Sequence, residues 1–361
     1  MDKNNRGIRA LGMSGWELPA GERNMITDVE GVRVGQVTKE GVSENGLSHH
    51  TGVTVIIPAE DNIFLNKMVG ASYVLNGYGK TTGLVQVDEL GTLETPIALT
   101  NTLNVGIVAD GLVEYTIRQC AKDDFKVRSV NPVVGETNDS MINEIRERIV
   151  TQEDVLTAIE NASKEVEEGC VGAGAGTVCF GLKGGIGTAS RLVEIGEKTY
   201  TVGVLVQSNF GSTRHLMIGG KPVGREIAGT LARMAETEAK SDKGSIMMVL
   251  ATDAPLSSRQ LRRVLKRCTV GLARCGSFMG HGSGDIMIGF STANRIPHLP
   301  EETEGKIRVL SEGAIDGLFE GAAEATEEAV LNSLAAAKPA RTLDGKVIHA
   351  LREFIGCDAL D

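Results

Sequence analysis

Short apolar, β-branched runs alternate along this chain with longer stretches of helical period. Runs at 53–57, 177–182, 200–207, 246–251 and 286–290 are apolar nearly throughout, the pattern of strands buried on both faces. Apolar residues recurring every three to four positions predict helices over roughly 104–121, 153–168 and 225–240. The clearest helix starts at Ser257, where Ser257 and Gln260 have capping-box spacing and Leu261, Val264, Leu265, Cys268 and Leu272 form one stripe. Two more helices, at 311–336 and 343–355, close the chain. Interleaved strands and helices without an internal repeat predict an α/β protein with sheets sandwiched between helical layers.

Composition narrows the functional classes. A length of 361 residues suits one large domain or two ordinary ones. The formal net charge of −10 argues against a general nucleic-acid binder, which needs concentrated Lys and Arg to neutralise phosphates. The basic residues Arg259, Arg262, Arg263, Lys266 and Arg267 lie mostly off the apolar stripe of their helix, where a solvated surface is the ordinary reading. Six cysteines include no C-x-x-C pair, which points to free thiols in a reducing compartment. No stretch has the length of a signal-peptide core or a membrane span, so a cytoplasmic protein with no membrane partner is expected. His49, His50 and His281 have no metal-site spacing, and neither Gly172–Gly176 nor Gly181–Gly187 completes a nucleotide-binding loop. No metal and no cofactor are expected.

The one abrupt change of composition lies at 236–244, a polar and charged stretch that runs directly into the apolar run SIMMVLATD. At this join stands Gly244-Ser245. A glycine there admits backbone conformations that a Cβ forbids, and the serine hydroxyl can attack the preceding carbonyl to form an ester that water hydrolyses. Such a cut frees an α-amine on Ser245 with a reference pKa of ~7.7–8.0, suited to act as a base near neutral pH. An N-terminal hydroxyl residue activated by its own amine is a known nucleophile. Downstream, a glycine-rich loop carries Ser283 and Asp285 to the mouth of the 286–290 strand, and alternation puts both on one side.

Several segments in fixed order carry a resemblance to one family: NMITDVEGVRVG at 24–35, TGVTVI at 51–56, TNT at 100–102, NPVVGETN at 131–138, QSNFG at 207–211, and the segments around Ser245 and Ser283. Over nearly its whole length the chain resembles the self-processing L-aminopeptidases and D-amino-acid esterase/amidases, which include the β-peptidyl aminopeptidases. The resemblance implies a four-layer αββα sandwich of the N-terminal-nucleophile kind, in which one catalytic domain (1–361) is cut between Gly244 and Ser245 into fragments 1–244 and 245–361. Ser245 would be both the self-cleaving residue and the later nucleophile. Ser283 and Asp285 would hold and polarise the nucleophile and its amine, with Asp285 standing where members of the family carry glutamate. Asn209 would donate to the oxyanion, and Glu136 would face the free ammonium of the substrate. A tyrosine that some members carry after this glutamate is replaced here by Met141 and Ile142.

Each residue also has a plainer reading: Asn209 as a turn cap before Gly211, Glu136 as a loop carboxylate, Asp285 as a turn former after Gly284. The function expected is hydrolysis of N-terminal residues from short peptides, amino-acid amides or esters through an acyl-enzyme on Ser245, in a homo-oligomer, a tetramer of cut protomers. The alternatives are an acyltransferase of the ornithine acetyltransferase type, which typically carries threonine as nucleophile, and a non-catalytic member that retains the fold.

Overall fold

The computed structural model describes residues 7–234 and 244–356. In chain order its first elements are β1 (Arg33–Val42), β2 (Ser48–Ile57), β3 (Asn66–Gly77), α1 (Leu84–Leu90), β4 (Thr92–Leu93), β5 (Ile97–Asn101), α2 (Val105–Lys122), β6 (Val133–Thr137) and α3 (Gln152–Glu160). There follow β7 (Val178–Cys179), β8 (Leu182–Lys183), β9 (Gly185–Ile195), β10 (Lys198–Asn209), α4 (Val223–Arg233) and β11 (Gly244–Thr252). Then come α5 (Ser258–Leu265), α6 (Cys268–Arg274), β12 (Ser283–Pro297) and α7 (Asp316–Ala335), and last the short ribbon strands β13 (Ala340–Arg341) and β14 (Val347–Ile348).

Two sheets carry the fold, a four-stranded one ordered β1-β2-β5-β6 and a six-stranded one ordered β4-β3-β12-β11-β10-β9. Three apolar clusters show how they stack. Val55, Ala98 and Val134 pack with Val108, Leu112 and Val155 between the small sheet and helices α2 and α3. Ile56, Leu99 and Val133 meet Leu205, Met247 and Val249 between the two sheets. Val204, Met248 and Met287 meet Leu261, Leu272 and Val330 between the large sheet and α5, α6 and α7. The result is four layers, helix–sheet–sheet–helix, as the sequence resemblance implied.

Strands β10 and β11 are apolar at successive positions because alternate residues serve two different cores. Helix α7 comes so close to β9 that a Cβ on Gly187 would lie 2.0 Å from the Ala329 carbonyl oxygen. It also buries Glu324 and Glu328 against Arg191, at 2.9 and 2.7 Å, while Arg9 pairs with Glu328 from the N-terminal segment. Because β11 pairs with β10 and α7 covers β9, the described parts of the chain before and after Gly244 pack as one body.

Four expectations change. The 177–182 run is a hairpin of β7 and β8, because Phe180 and Gly181 both adopt positive φ (51° and 73°) as a type I′ turn requires. The helix expected over 153–168 stops at Glu160, since Ser163 leaves it to exchange two backbone hydrogen bonds with Val34. The helix expected over 343–355 is a ribbon turning at Gly345 followed by a single 3₁₀ turn, Leu351–Glu353. The helical run from Ser257 divides into α5 and α6, with its whole predicted stripe buried. On its basic face Arg259 and Arg263 pair with Glu312, and Arg267 lies 3.9 Å above the Phe319 ring. The polar stretch 236–243, the 235–240 end of the predicted third helix and Cys357 lie outside the described residues; the other five cysteines are free thiols.

Candidate active site

Strand register assembles the site. Asn209 on β10 is the cross-strand partner of Ser245 on β11, Gly284 on β12 is its other neighbour, and Gly77 on β3 pairs with Gly284. One row of the large sheet therefore reads Asn209, Ser245, Gly284, Gly77. Alternation turns Ser245 toward the small sheet, with Met247 and Val249. Ser283 and Asp285 share the opposite face with Ile246, and Ser283 is the register partner of Gly244. The Gly244-Ser245 peptide thus sits at a strand end, with the serine side chain on one face and the Ser283–Asp285 pair on the other.

Gly244 has φ +138°, and a Cβ there would lie 2.0 Å from the Asn209 carbonyl oxygen. Only glycine fits this position. Ser245 is buried (4% exposed), as is Asn209 (8%).

The side-chain amide of Asn209 is held at both ends. Its Oδ1 accepts from the Val178 amide at 2.9 Å, and its Nδ2 donates to the Asn138 carbonyl at 3.0 Å. That pairing fixes the amide orientation and leaves the second Nδ2 hydrogen without an acceptor among the described residues. Asn209 is therefore not the turn cap of the plainer reading. Ser283 Oγ donates to Asp285 Oδ1 at 2.7 Å, so the shorter acid reaches its serine. Asn76 Nδ2 donates to Asp285 Oδ2 at 3.0 Å and to the Met279 carbonyl at 2.8 Å. Asp285 lies within a strand and is no turn former.

Glu136, on β6, is 2% exposed and likewise no loop residue. Its Oε1 accepts from the Lys80 amide at 2.9 Å and its Oε2 from the Thr102 hydroxyl. The segment 78–80 ties it to the serine row. A Cβ on Gly284 would meet the Tyr78 carbonyl oxygen at 2.6 Å, and one on Gly79 would lie 3.8 Å from Glu136 Oε1. Two residues beyond Glu136, Asn138 holds Asn209. Cavities of about 390 and 590 Å³ open elsewhere and touch none of Ser245, Asn209 or Glu136.

Asp139 lies just behind this cluster. Burial raises its carboxyl to about 6, against the opposing help of donors from Thr51, Asn143 and Asn101. The folded protein holds this proton up to about pH 6, while the unfolded chain releases it near 3.8. Between those values the folded state binds more protons, so stability falls as pH rises, by up to about 3 kcal/mol from this group. The thermal midpoint of Asp139→Asn should therefore lose less between pH 4 and 6.5 than that of the parent. Parallel curves for the two proteins would refute this titration.

All five predicted residues with side-chain chemistry are brought to this end of the fold, Ser245, Asn209, Ser283 and Asp285 around one row and Glu136 beside it. Sequence reasoning missed Asn76, Thr102, the Lys80 and Val178 amides, the Asn138 carbonyl and Asp139. Thr102, Asn138 and Asp139 lie in or beside the TNT and NPVVGETN segments, a signal that was present. Nothing local marks Asn76, which is 209 residues from Asp285. Among the described residues no group of three or more His, Cys, Asp or Glu could hold a metal ion, and no helix is long and apolar enough to cross a membrane.

A serine at the start of a core strand in a helix–sheet–sheet–helix sandwich, with polar residues on both neighbouring strands, is an arrangement suited to a serine hydrolase. The chain matches the model of peptidase family S58 over residues 24–348. It is 40% identical over 345 residues to the β-peptidyl aminopeptidase BapA of Sphingosinicella microcystinivorans, covering 92% of this chain and 86% of that protein. Among solved structures, the PH0078 protein of Pyrococcus horikoshii OT3 superposes with a TM-score of 0.88 at 46% identity, covering 97% of this chain and 98% of that one. The L-aminopeptidase D-Ala-esterase/amidase of Ochrobactrum anthropi, a prototype of the serine aminopeptidases with a variant of the Ntn hydrolase fold, superposes with a TM-score of 0.87 at 33% identity, covering 96% and 95%. The chain belongs to peptidase family S58 and is an aminopeptidase of the serine type.

Proposed function

We propose that this aminopeptidase matures by cutting its own Gly244-Ser245 bond and then releases N-terminal residues from short peptides, amino-acid amides or esters through an acyl-enzyme on Ser245. The observation that carries this reading is the register of one row, which sets Ser245 beside Asn209 with a glycine-only position immediately before it. In maturation the Ser245 hydroxyl adds to the Gly244 carbonyl, the C–N bond breaks, and the resulting ester is hydrolysed by water. The freed α-amine then takes the hydroxyl proton when Ser245 attacks a substrate carbonyl, and returns it to the leaving amine. Ser283, whose own hydrogen is engaged by Asp285, offers its oxygen to the Ser245 ammonium, and the carboxylate balances that charge. Asn209 gives its free Nδ2 hydrogen to the tetrahedral oxyanion.

Glu136 supplies the selectivity for a free amine. Its carboxylate is buried and already accepts from two donors, so it needs little reorganisation to receive an ammonium. N-acetylation removes that charge, and N-acetylated peptides should react at least a hundredfold more slowly than their free-amine counterparts. Equal kcat/KM on the two would refute a charge pair. The free thiols fit a reducing compartment, and we infer a cytoplasmic homo-oligomer, a tetramer of cut protomers. Light scattering on the cut protein checks the assembly.

A further inference from the structure

The amide of Asn209 owes its orientation to two backbone groups, and close to each of these stands a buried ionisable side chain. The first is the Val178 amide. Val178 is the cross-strand partner of Lys183 in the β7–β8 hairpin. The ammonium of Lys183 is fully buried and donates to the Gly174 carbonyl at 3.0 Å and the Gly184 carbonyl at 2.8 Å. It thereby staples the turn before β7 to the far end of the hairpin, where Gly184 also donates to the Thr177 carbonyl at 3.0 Å. The second group is the Asn138 carbonyl. Its neighbour Asp139, 1% exposed, accepts from Asn143 Nδ2 at 3.1 Å, and Asn143 in turn accepts from the His50 amide at 3.2 Å. Thr51, whose oxygen receives Asn101 Nδ2 at 2.7 Å, stands beside Asp139.

These two supports touch. A Cβ on Gly176, midway between Gly174 and Val178, would lie 2.8 Å from the Asp139 Cβ. The segment 174–178 is therefore gripped by a buried cation on one side and packed on a buried carboxylate on the other. Lys183 also lines the cavity of about 590 Å³ with Cys170 and Ala175, away from Ser245 and Asn209. Both charges are kept at a cost, because burial pushes the Lys183 ammonium down and the Asp139 carboxyl up. Each adjoins one of the two groups that clamp Asn209, Lys183 as the cross-strand partner of Val178 and Asp139 as the chain neighbour of Asn138.

We propose that Asp139 and Lys183 are positioning residues that hold the Asn209 amide in the orientation it needs as oxyanion donor. The proposal rests on the oxyanion role given to Asn209 above. A donor displaced by an ångström stabilises the transition state far less, while substrate binding changes little. A double-mutant cycle separates this role from a merely structural one. Asp139→Asn and Lys183→Met are made alone and combined with Asn209→Ala, with kcat and KM normalised to free Ser245 termini. Each single variant should lose tenfold or more in kcat with KM within about threefold. In the Asn209→Ala background the same changes should lose no more than about twofold, since there is no amide left to position.

Near-parent kcat in both single variants, with Asn209→Ala still severely impaired, overturns the proposal and leaves the oxyanion reading intact. Equal losses in both backgrounds overturn it too, as the sign of a general structural effect. Near-parent kcat in Asn209→Ala would instead overturn the oxyanion reading itself, and this proposal with it. Should either single variant fail to fold, Asn143→Ala and Thr177→Val loosen the same two supports more gently. They should show smaller kcat losses that again vanish without Asn209, and losses that persist there would overturn the proposal.

Discussion

Replacing Ser245 with alanine should leave one uncut chain of 361 residues with no aminopeptidase activity above background. The parent protein should instead separate under denaturing conditions into fragments of 244 and 117 residues (361 − 244 = 117), the smaller beginning Ser-Ile-Met-Met. The expected loss is total for maturation, because the hydroxyl that attacks the Gly244 carbonyl is gone. For turnover it should approach the roughly millionfold loss that follows removal of a serine nucleophile in other hydrolases. Both losses share one cause, yet they can be separated. A chain expressed as two pieces, 1–244 and a 245–361 piece bearing Ser245→Ala, carries the cut without the hydroxyl and should remain inactive. Gly244→Ala gives an independent check. Its Cβ would sit 2.0 Å from the Asn209 carbonyl oxygen, and φ near +138° strains any L-residue. It should slow the cut sharply while leaving the Ser245 hydroxyl present. Fragment ends identified by N-terminal sequencing decide the matter. Cleavage at the same bond in Ser245→Ala would sink self-processing by this serine.

What the sequence made legible, and what it hid, follows from the reach of each interaction. The runs at 200–207, 246–251 and 286–290 were readable because each is buried on both faces, so burial writes itself into consecutive residues. The capping box at Ser257 and Gln260 was readable because its partners are three positions apart. Strand β9, GIGTASRLVEI, escaped notice because Gly187 makes room for α7, Gly185 makes room for the Gly169 backbone, and its arginine looks like a surface residue. Arg191 is fully buried only because Glu324 and Glu328, more than a hundred residues later, neutralise it. Lys183 misleads in the same way. At the site, Ser283 and Asp285 could be paired from alternation alone, whereas the row joining Asn209 to Ser245 is a matter of tertiary register, which no local pattern encodes. The family resemblance bridged that gap for the five residues it carried. It did not reach Asn76, Asp139 or Lys183, which act on atoms of other residues.

Asn209→Ala should lose a hundredfold or more in kcat while KM changes little. An oxyanion donor is aimed at charge that exists only in the transition state, so its removal raises the barrier without weakening the ground-state complex. Loss of one such donor costs about 3–4 kcal/mol in other hydrolases, and each 1.4 kcal/mol is a factor of about ten. The geometry argues for the upper part of this range. The amide is locked by Val178 and Asn138 with one hydrogen unassigned, so the donor is organised before substrate arrives. Truncation to alanine also strands the Val178 amide and the Asn138 carbonyl, which adds a stability cost of about 1–3 kcal/mol. That cost should lower the thermal midpoint but should not discriminate between kcat and KM. Self-cleavage passes through a tetrahedral intermediate as well and should slow. Its carbonyl is held against Ser245 by the chain itself, and it has hours to finish, so cut protein should still accumulate. The measurement is kcat and KM on the fully cut variant, normalised to free Ser245 termini. Near-parent kcat would show that the clamp on Asn209 serves the β7–β8 hairpin alone, and the oxyanion donor would then have to come from another group in the Ser245 row.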